Sequence, residues 1–139
     1  MKSLTTLLVI GAAALLALVA GCATTSTAGG SAQKKAALAQ AGFKTHSITT
    51  DKQKQQVQAL PQDRVSLVKH NGKKFYAYPD LANNQVYTGN RAQYRTYKQA
   101  QVAAAAQNSG INVDPDPTGV VINEFDGWGP GPLYNSDGY

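Results

Sequence analysis

The sequence predicts a small α+β domain over residues 32–107, a short antiparallel sheet built around a hairpin at residues 70–73 and packed by two or three helices. Three observations carry that prediction. Asn71-Gly72, a pair suited to the positive φ angles of a type I′ turn, sits between two β-prone runs spanning 64–79. Thr50 with Gln53 and Asn90 with Gln93 are spaced as reciprocal caps at the start of two helices. Tyr94, Tyr97, Gln101 and Ala104 fall on one stripe at helical spacing, which marks a helix that covers a sheet.

Taken in order, Ser31 is placed to cap a helix from Ala32 to Ala41, and Gly42 stands where a left-handed stop is needed. Phe43 then returns to touch Leu38. Phe43 to Ile48 alternates weakly and predicts a short strand. The helix that begins after Thr50 ends before Pro61, because a residue preceding proline is pushed out of the helical region, and Val57 and Leu60 form its buried pair. Gln85 to Thr88 adds a strand after Asn83-Asn84, and the last helix runs from Arg91 to about Gln107. The tyrosines of that helix are read as packing residues.

A two-residue loop sets the hairpin register. It places His70 opposite Lys73, Lys69 opposite Lys74, Val68 opposite Phe75 and Leu67 opposite Tyr76. Val65, Leu67, Tyr76 and Tyr78 then share one face, and Ser66, Val68, Phe75 and Ala77 the other. The first face is expected to bury the core. Residues 108–139, dense in Gly, Pro, Asp and Asn, are expected to form a disordered acidic tail, so that 31–108 folds alone apart from a strand-like stretch at Val120-Val121-Ile122.

The N-terminal segment has a different character. Met1-Lys2 supplies a positive start, and an apolar run from Leu4 to Ala20 ends in small residues, the layout of a secretory signal peptide. The run gives way at once to a Thr/Ser/Gly/Ala-rich stretch, shorter than a membrane span with anchoring flanks requires. It closes on Val19-Ala20-Gly21-Cys22, and Cys22 is the single cysteine of the chain. This resembles the lipobox of bacterial lipoprotein precursors: an aliphatic residue, two small ones, then cysteine.

The resemblance implies cleavage after residue 21 and acylation of Cys22, and the Thr/Ser/Gly/Ala-rich composition that follows predicts a flexible tether, so that residues 22–31 are the lipidated cysteine and tether. One acyl chain binds a membrane only marginally, so the two or three chains of such lipoproteins would anchor the protein stably. Ala23 after the cysteine, with no Asp there, resembles lipoproteins passed on to the outer membrane. Further along, Gly42-Phe43, Leu60-Pro61, Phe75-Tyr76-Ala77-Tyr78-Pro79-Asp80, Tyr87-Thr88-Gly89 and Tyr94 with Tyr97 resemble segments of small uncharacterised proteobacterial lipoproteins. With Cys22 acylated, no cysteine remains for a disulfide, and the domain must be held by packing.

Charge divides along the chain. Twelve of the 13 Lys and Arg residues lie between Lys34 and Lys98 against three acids, a net of +9, whereas the segment from Asn108 has five acids and no base, a net of −5. Such a division fits a polyanionic partner for the domain, a tail that screens it, or plain solubility at a crowded surface. Lys69, His70, Lys73 and Lys74 concentrate the charge at the hairpin tip. They are the candidate contact for an anion or an acidic partner, partly shielded by the tail, and edge protection by lysines is the competing role.

Catalytic constellations do not emerge. His46 and His70 lack the spacing of a zinc site and have few carboxylates to orient them, and Asp114-Pro115-Asp116-Pro117 does not match a calcium loop. No cofactor is expected. The expected function is therefore a non-enzymatic interaction or structural module, and the resemblance implies that it is lipid-anchored and faces the periplasm. Its partners would be the membrane and an envelope protein, anionic lipid or cell-wall component, not nucleic acid. The alternative class is a small metal-binding or enzymatic domain using His46 and His70.

Overall fold

A computed structural model describes residues 28–107, 112–128 and 133, with side chains from residue 30 onward. The signal segment, the lipobox with Cys22 and the tether up to residue 27 lie outside the described residues, as does Asp137. The elements are α1 (Ala28–Gln40), β1 (Lys44–Ser47), α2 (Asp51–Ala59), β2 (Ser66–His70), β3 (Lys73–Asp80), β4 (Gln85–Gly89), α3 (Arg91–Gln107) and β5 (Val120–Ile122), with a single 3₁₀ turn at Leu81–Asn83. The fold is α+β. Its five strands lie in the order β1-β4-β3-β2-β5.

Local chemistry explains most boundaries. At the end of α1, Gly42 adopts φ +93°, Phe43 N–H donates to Leu38 O at 3.0 Å and Gly42 N–H to Ala39 O at 3.1 Å, the paired bonds of a Schellman closure. The start of α1 differs from expectation: the helix begins at Ala28, so Ser31 lies inside it and part of the expected tether is helical. Thr50 caps α2 through a reciprocal bond with Gln53, and Asn90 and Gln93 do the same for α3 at 2.9 and 2.8 Å. Leu60 leaves the helical region at ψ 141°, as its following proline requires. Asn71 and Gly72 take φ 51° and 75°, and the β2–β3 register pairs Lys69 with Lys74 and His70 with Lys73.

The core is where structure and sequence reading part. Leu38, Phe43, Val65, Tyr78, Tyr94 and Tyr97 pack on one face of the sheet beneath α1 and α3. The opposite face carries Val68, Phe75, Ala77 and Val86, covered by Val57 of α2, by Leu60 just after it, and by Phe125 and Leu133 from the C-terminal segment. Both faces are therefore buried, and the face expected to hold the core alone is one of two. The three layers are α1 with α3, the sheet, and α2 with the C-terminal segment.

The described part of residues 108–139 belongs to this packed body instead of trailing from it. β5 pairs parallel to β2, with Leu67 opposite Val120 and an irregularity before Val68 reaches Ile122, so the sheet is mixed and not purely antiparallel. Phe125 N–H donates to Lys69 O at 2.7 Å, and the Phe125 ring meets Phe75 edge-on at 5.7 Å. From α2, Gln53 Nε2 donates to Gly127 O at 2.8 Å and Gln56 Nε2 to Glu124 O at 3.0 Å. A polar, glycine-rich composition hid this segment because its few large apolar residues, Phe125, Trp128 and Leu133, carry the burial while the backbone between them is tied to α2.

Candidate functional site

The hairpin tip is built from the turn outward. Because Asn71 and Gly72 accept left-handed backbone angles, the strands meet in a two-residue loop, and two pairs of basic residues face each other across the last rungs. Lys73 and Lys74 are exposed, while Lys69 and His70 are half-buried. The side-chain amide of Asn71 lies 3.1 Å from His70 Nε2. Like charges facing across a ladder repel by some tenths of a kcal/mol, a cost that solvent or a bound anion relieves.

Three carboxylates of the acidic segment are paired with lysines of the helices. Asp114 pairs with Lys34 of α1 at 2.8 Å, Asp126 with Lys52 of α2 at 2.9 Å, and Asp116 with Lys98 of α3 at 3.3 Å. The Lys52 ammonium and the Gln56 amide hold the Asp126 carboxyl below its usual range, with His70 a minor contributor. These three carboxylates fasten the C-terminal segment to three helices.

The two histidines are not brought together. His46 lies on β1 and His70 on β2, with β4 and β3 between those strands. His46 Nε2 is 2.9 Å from Thr88 Oγ1 and 3.1 Å from Leu133 O, and its ring meets Trp128 edge-on at 6.0 Å. This is a clasp on the C-terminal segment, in which Thr88 Oγ1 also donates to Leu133 O. Among the described residues no three His, Cys, Asp or Glu side chains gather closely enough to hold a metal ion.

A second basic feature was missed in the sequence. Arg91, Arg95 and Lys98 line one side of a cleft of about 590 Å³ whose other walls are Tyr76, Tyr94, Gln99, Asp116 and Pro117. Their spacing, i, i+4 and i+7 on α3, places them on one helix face beside Tyr94. That spacing is legible in the sequence, but the docking of Asp116 and Pro117 that turns the helix face into a cleft is not. Asp116 and Pro117 come from the segment expected to be a tail, so the cleft exists only after that segment docks.

Behind the cleft, the buried Asp114 carboxylate accepts from Tyr97 Oη at 2.9 Å and from Gln101 Nε2 at 3.1 Å, besides its contact with Lys34. Tyr94 Oη donates to Asp116 at 2.7 Å, and that bond, helped by Lys98, keeps the Asp116 carboxyl below its usual range. Burial, aided by these carboxylates, raises the phenols of Tyr94 and Tyr97 well above their ordinary value.

Among the described residues no helix is long and apolar enough to cross a membrane. No protein-family model matches the chain, no curated protein matches it in sequence, and no solved structure matches it.

Proposed function

We propose that this chain is a non-enzymatic envelope lipoprotein, anchored through acylated Cys22 in the outer membrane and facing the periplasm, whose domain contacts an anionic partner through the hairpin tip. Support for the anchor is the run from Leu4 to Ala20 closing on Val19-Ala20-Gly21-Cys22, with no second cysteine in the chain. Support for the contact is one observation above the rest. The turn holds Lys69 opposite Lys74 and His70 opposite Lys73 across the last rungs of the hairpin. Positive charge is thereby concentrated at the tip of a rigid hairpin.

Metabolic labelling with a fatty-acid probe tests the anchor. Wild type is expected to label and Cys22→Ala to lose the label, and a labelled Cys22→Ala protein would sink the lipoprotein reading. Vesicle sedimentation tests the contact. Binding to anionic vesicles should fall as salt rises, since exposed charges are screened over about 8 Å at physiological ionic strength. The Lys69→Gln, Lys73→Gln, Lys74→Gln triple variant should bind several-fold less at low salt, and equal binding would leave these lysines with edge protection or solubility alone.

A further inference from the structure

We infer that the cleft between α3 and the Asp116-Pro117 segment is a binding site for a phosphate monoester carried on a sugar-sized group. Three features converge on that chemistry. First, charge is left over. Lys98 is paired with Asp116, but among the described residues no carboxylate lies within ion-pair distance of Arg91 or Arg95, and both are exposed on the cleft wall. Two guanidiniums one helical turn apart match the −1.5 to −2 charge that a phosphate monoester carries at neutral pH. Their planar forks bind tetrahedral oxyanions through paired, charge-assisted hydrogen bonds.

Second, the floor is aromatic and held rigid. Tyr76 and Tyr94 stack with ring centroids 4.1 Å apart and planes inclined by 2°. Tyr94 is buried and its hydroxyl is committed to Asp116, so the stack cannot swing away. Tyr76, half-buried on β3, lines the cleft, where an aromatic side chain can pack against the carbon face of a sugar ring. Third, the size fits. A volume of about 590 Å³ lies within the range of small-molecule clefts, roughly 300–1,000 Å³, and the Gln99 amide and the Asp116 carboxylate stand ready to bond hydroxyl groups. The site is separate from the hairpin tip and does not depend on the anchor, so its failure would leave the preceding proposal standing.

Titration calorimetry on the full chain in neutral detergent, with glucose 1-phosphate, inorganic phosphate and glucose as probes, is the test. Glucose 1-phosphate is expected to bind more tightly than inorganic phosphate, and glucose weakest of the three. The Arg91→Gln, Arg95→Gln variant should bind glucose 1-phosphate at least tenfold more weakly, equivalent to about 1.4 kcal/mol or more. Tyr76→Ala should reduce glucose 1-phosphate to the affinity of inorganic phosphate. Both arginines are exposed, so the double variant should keep the wild-type circular dichroism spectrum. Lys69→Gln, Lys74→Gln serves as a charge-matched control and should bind the sugar phosphate like wild type.

Micelles doped with phosphatidic acid, a phosphate monoester without a sugar, test the sugar requirement. They should not displace glucose 1-phosphate, and displacement would overturn the sugar-sized part of the inference. Equal affinity for glucose 1-phosphate and inorganic phosphate, full affinity in the arginine double variant, or equal loss in the tip control would overturn the inference.

Discussion

The hydroxyl of Tyr97 donates to the Asp114 carboxylate at 2.9 Å, with both side chains buried, and this bond joins the sheet-covering helix α3 to a segment that begins beyond its end. Lys34 reaches the same carboxylate from α1 and donates in addition to Asp63 O at 2.6 Å. A single anion thus gathers two helices and the C-terminal segment, while Gln101 takes one of its remaining lone pairs.

Removing that anion leaves a lysine, a phenol and an amide with no common acceptor. Asp114→Ala is expected to lower stability by about 3 kcal/mol, at the low end for breaking a buried pair because the Lys34 side chain keeps partial contact with water. Tyr97→Phe deletes one hydrogen bond to a charged group and should cost about 2 kcal/mol. Urea unfolding checks both. A loss under 0.5 kcal/mol in Asp114→Ala, on the order of an ordinary surface change, would show that the network is dispensable.

The C-terminal segment should be required for folding. Phe125 and Leu133 are almost completely buried in the cluster that also holds Phe75 and Val68. Phe125→Ala should destabilise by about 4 kcal/mol, a large share of what a domain of this size can hold. Deletion of residues 109–139 should abolish the cooperative thermal transition. A sharp transition in the truncated protein would mean that the sheet face under α2 closes without this cover.

Gly89 should not tolerate a methyl group. A Cβ built there would stand 2.9 Å from three carbons of the Phe43 ring, and that ring is itself buried and edge-on to Tyr97 at 6.2 Å. Since the ring cannot retreat, Gly89→Ala should cost about 2 kcal/mol through overpacking. Melting temperatures of Gly89→Ala and of the Gly89→Ala, Phe43→Leu double variant provide the check. Relief in the double variant identifies the ring as the obstacle, and an unaffected single variant contradicts the close approach.

Alkaline pH should unfold the protein by a specific route. Burial is the main cause that pushes the Tyr78 phenol up to about 12 from an ordinary 10.0, and it raises Tyr94 and Tyr97 further. A raised folded-state pKa means that stability is fully present below about pH 10 and is lost as pH climbs through the folded values, because the unfolded tyrosines ionise first. Denaturant midpoints should therefore fall steeply above pH 10, and tyrosinate absorbance should appear together with unfolding. In Tyr97→Phe the fall should be shallower, and an unchanged slope would remove Tyr97 from the account. On the acid side, Asp116 and Asp126 are held low, so their contribution is present above their usual range and fades as pH drops. Their exposure keeps it small.

Much of the architecture was legible because its signals are local. Thr50 with Gln53, Asn90 with Gln93, Gly42 after α1 and Asn71-Gly72 each act within a few residues, where the chain cannot avoid meeting itself, so the caps, the stop and the hairpin register follow from spacing alone. Tyr94, Tyr97 and Gln101 likewise show their buried stripe through helical period. The face of the sheet was not legible in this way. Alternation along β2 and β3 defines two faces but does not say which is covered, and here α2 and Phe125 cover the second.

By itself, then, the sequence determined where α2, α3 and the hairpin begin, where α1 stops, which lysines face each other at Asn71-Gly72, and the apolar run that closes on Cys22. Only the tertiary structure decided that Val120 and Ile122 run parallel to β2, that Asp114 meets Lys34 across 80 positions of chain, and that Asp116 closes a cleft over Arg91, Arg95 and Tyr76. The physical reason is range. Capping and turn bonds are selected by neighbours, whereas buried ion pairs and inter-strand partners at such separation are chosen when loop-closure entropy is offset by the packing of the whole core.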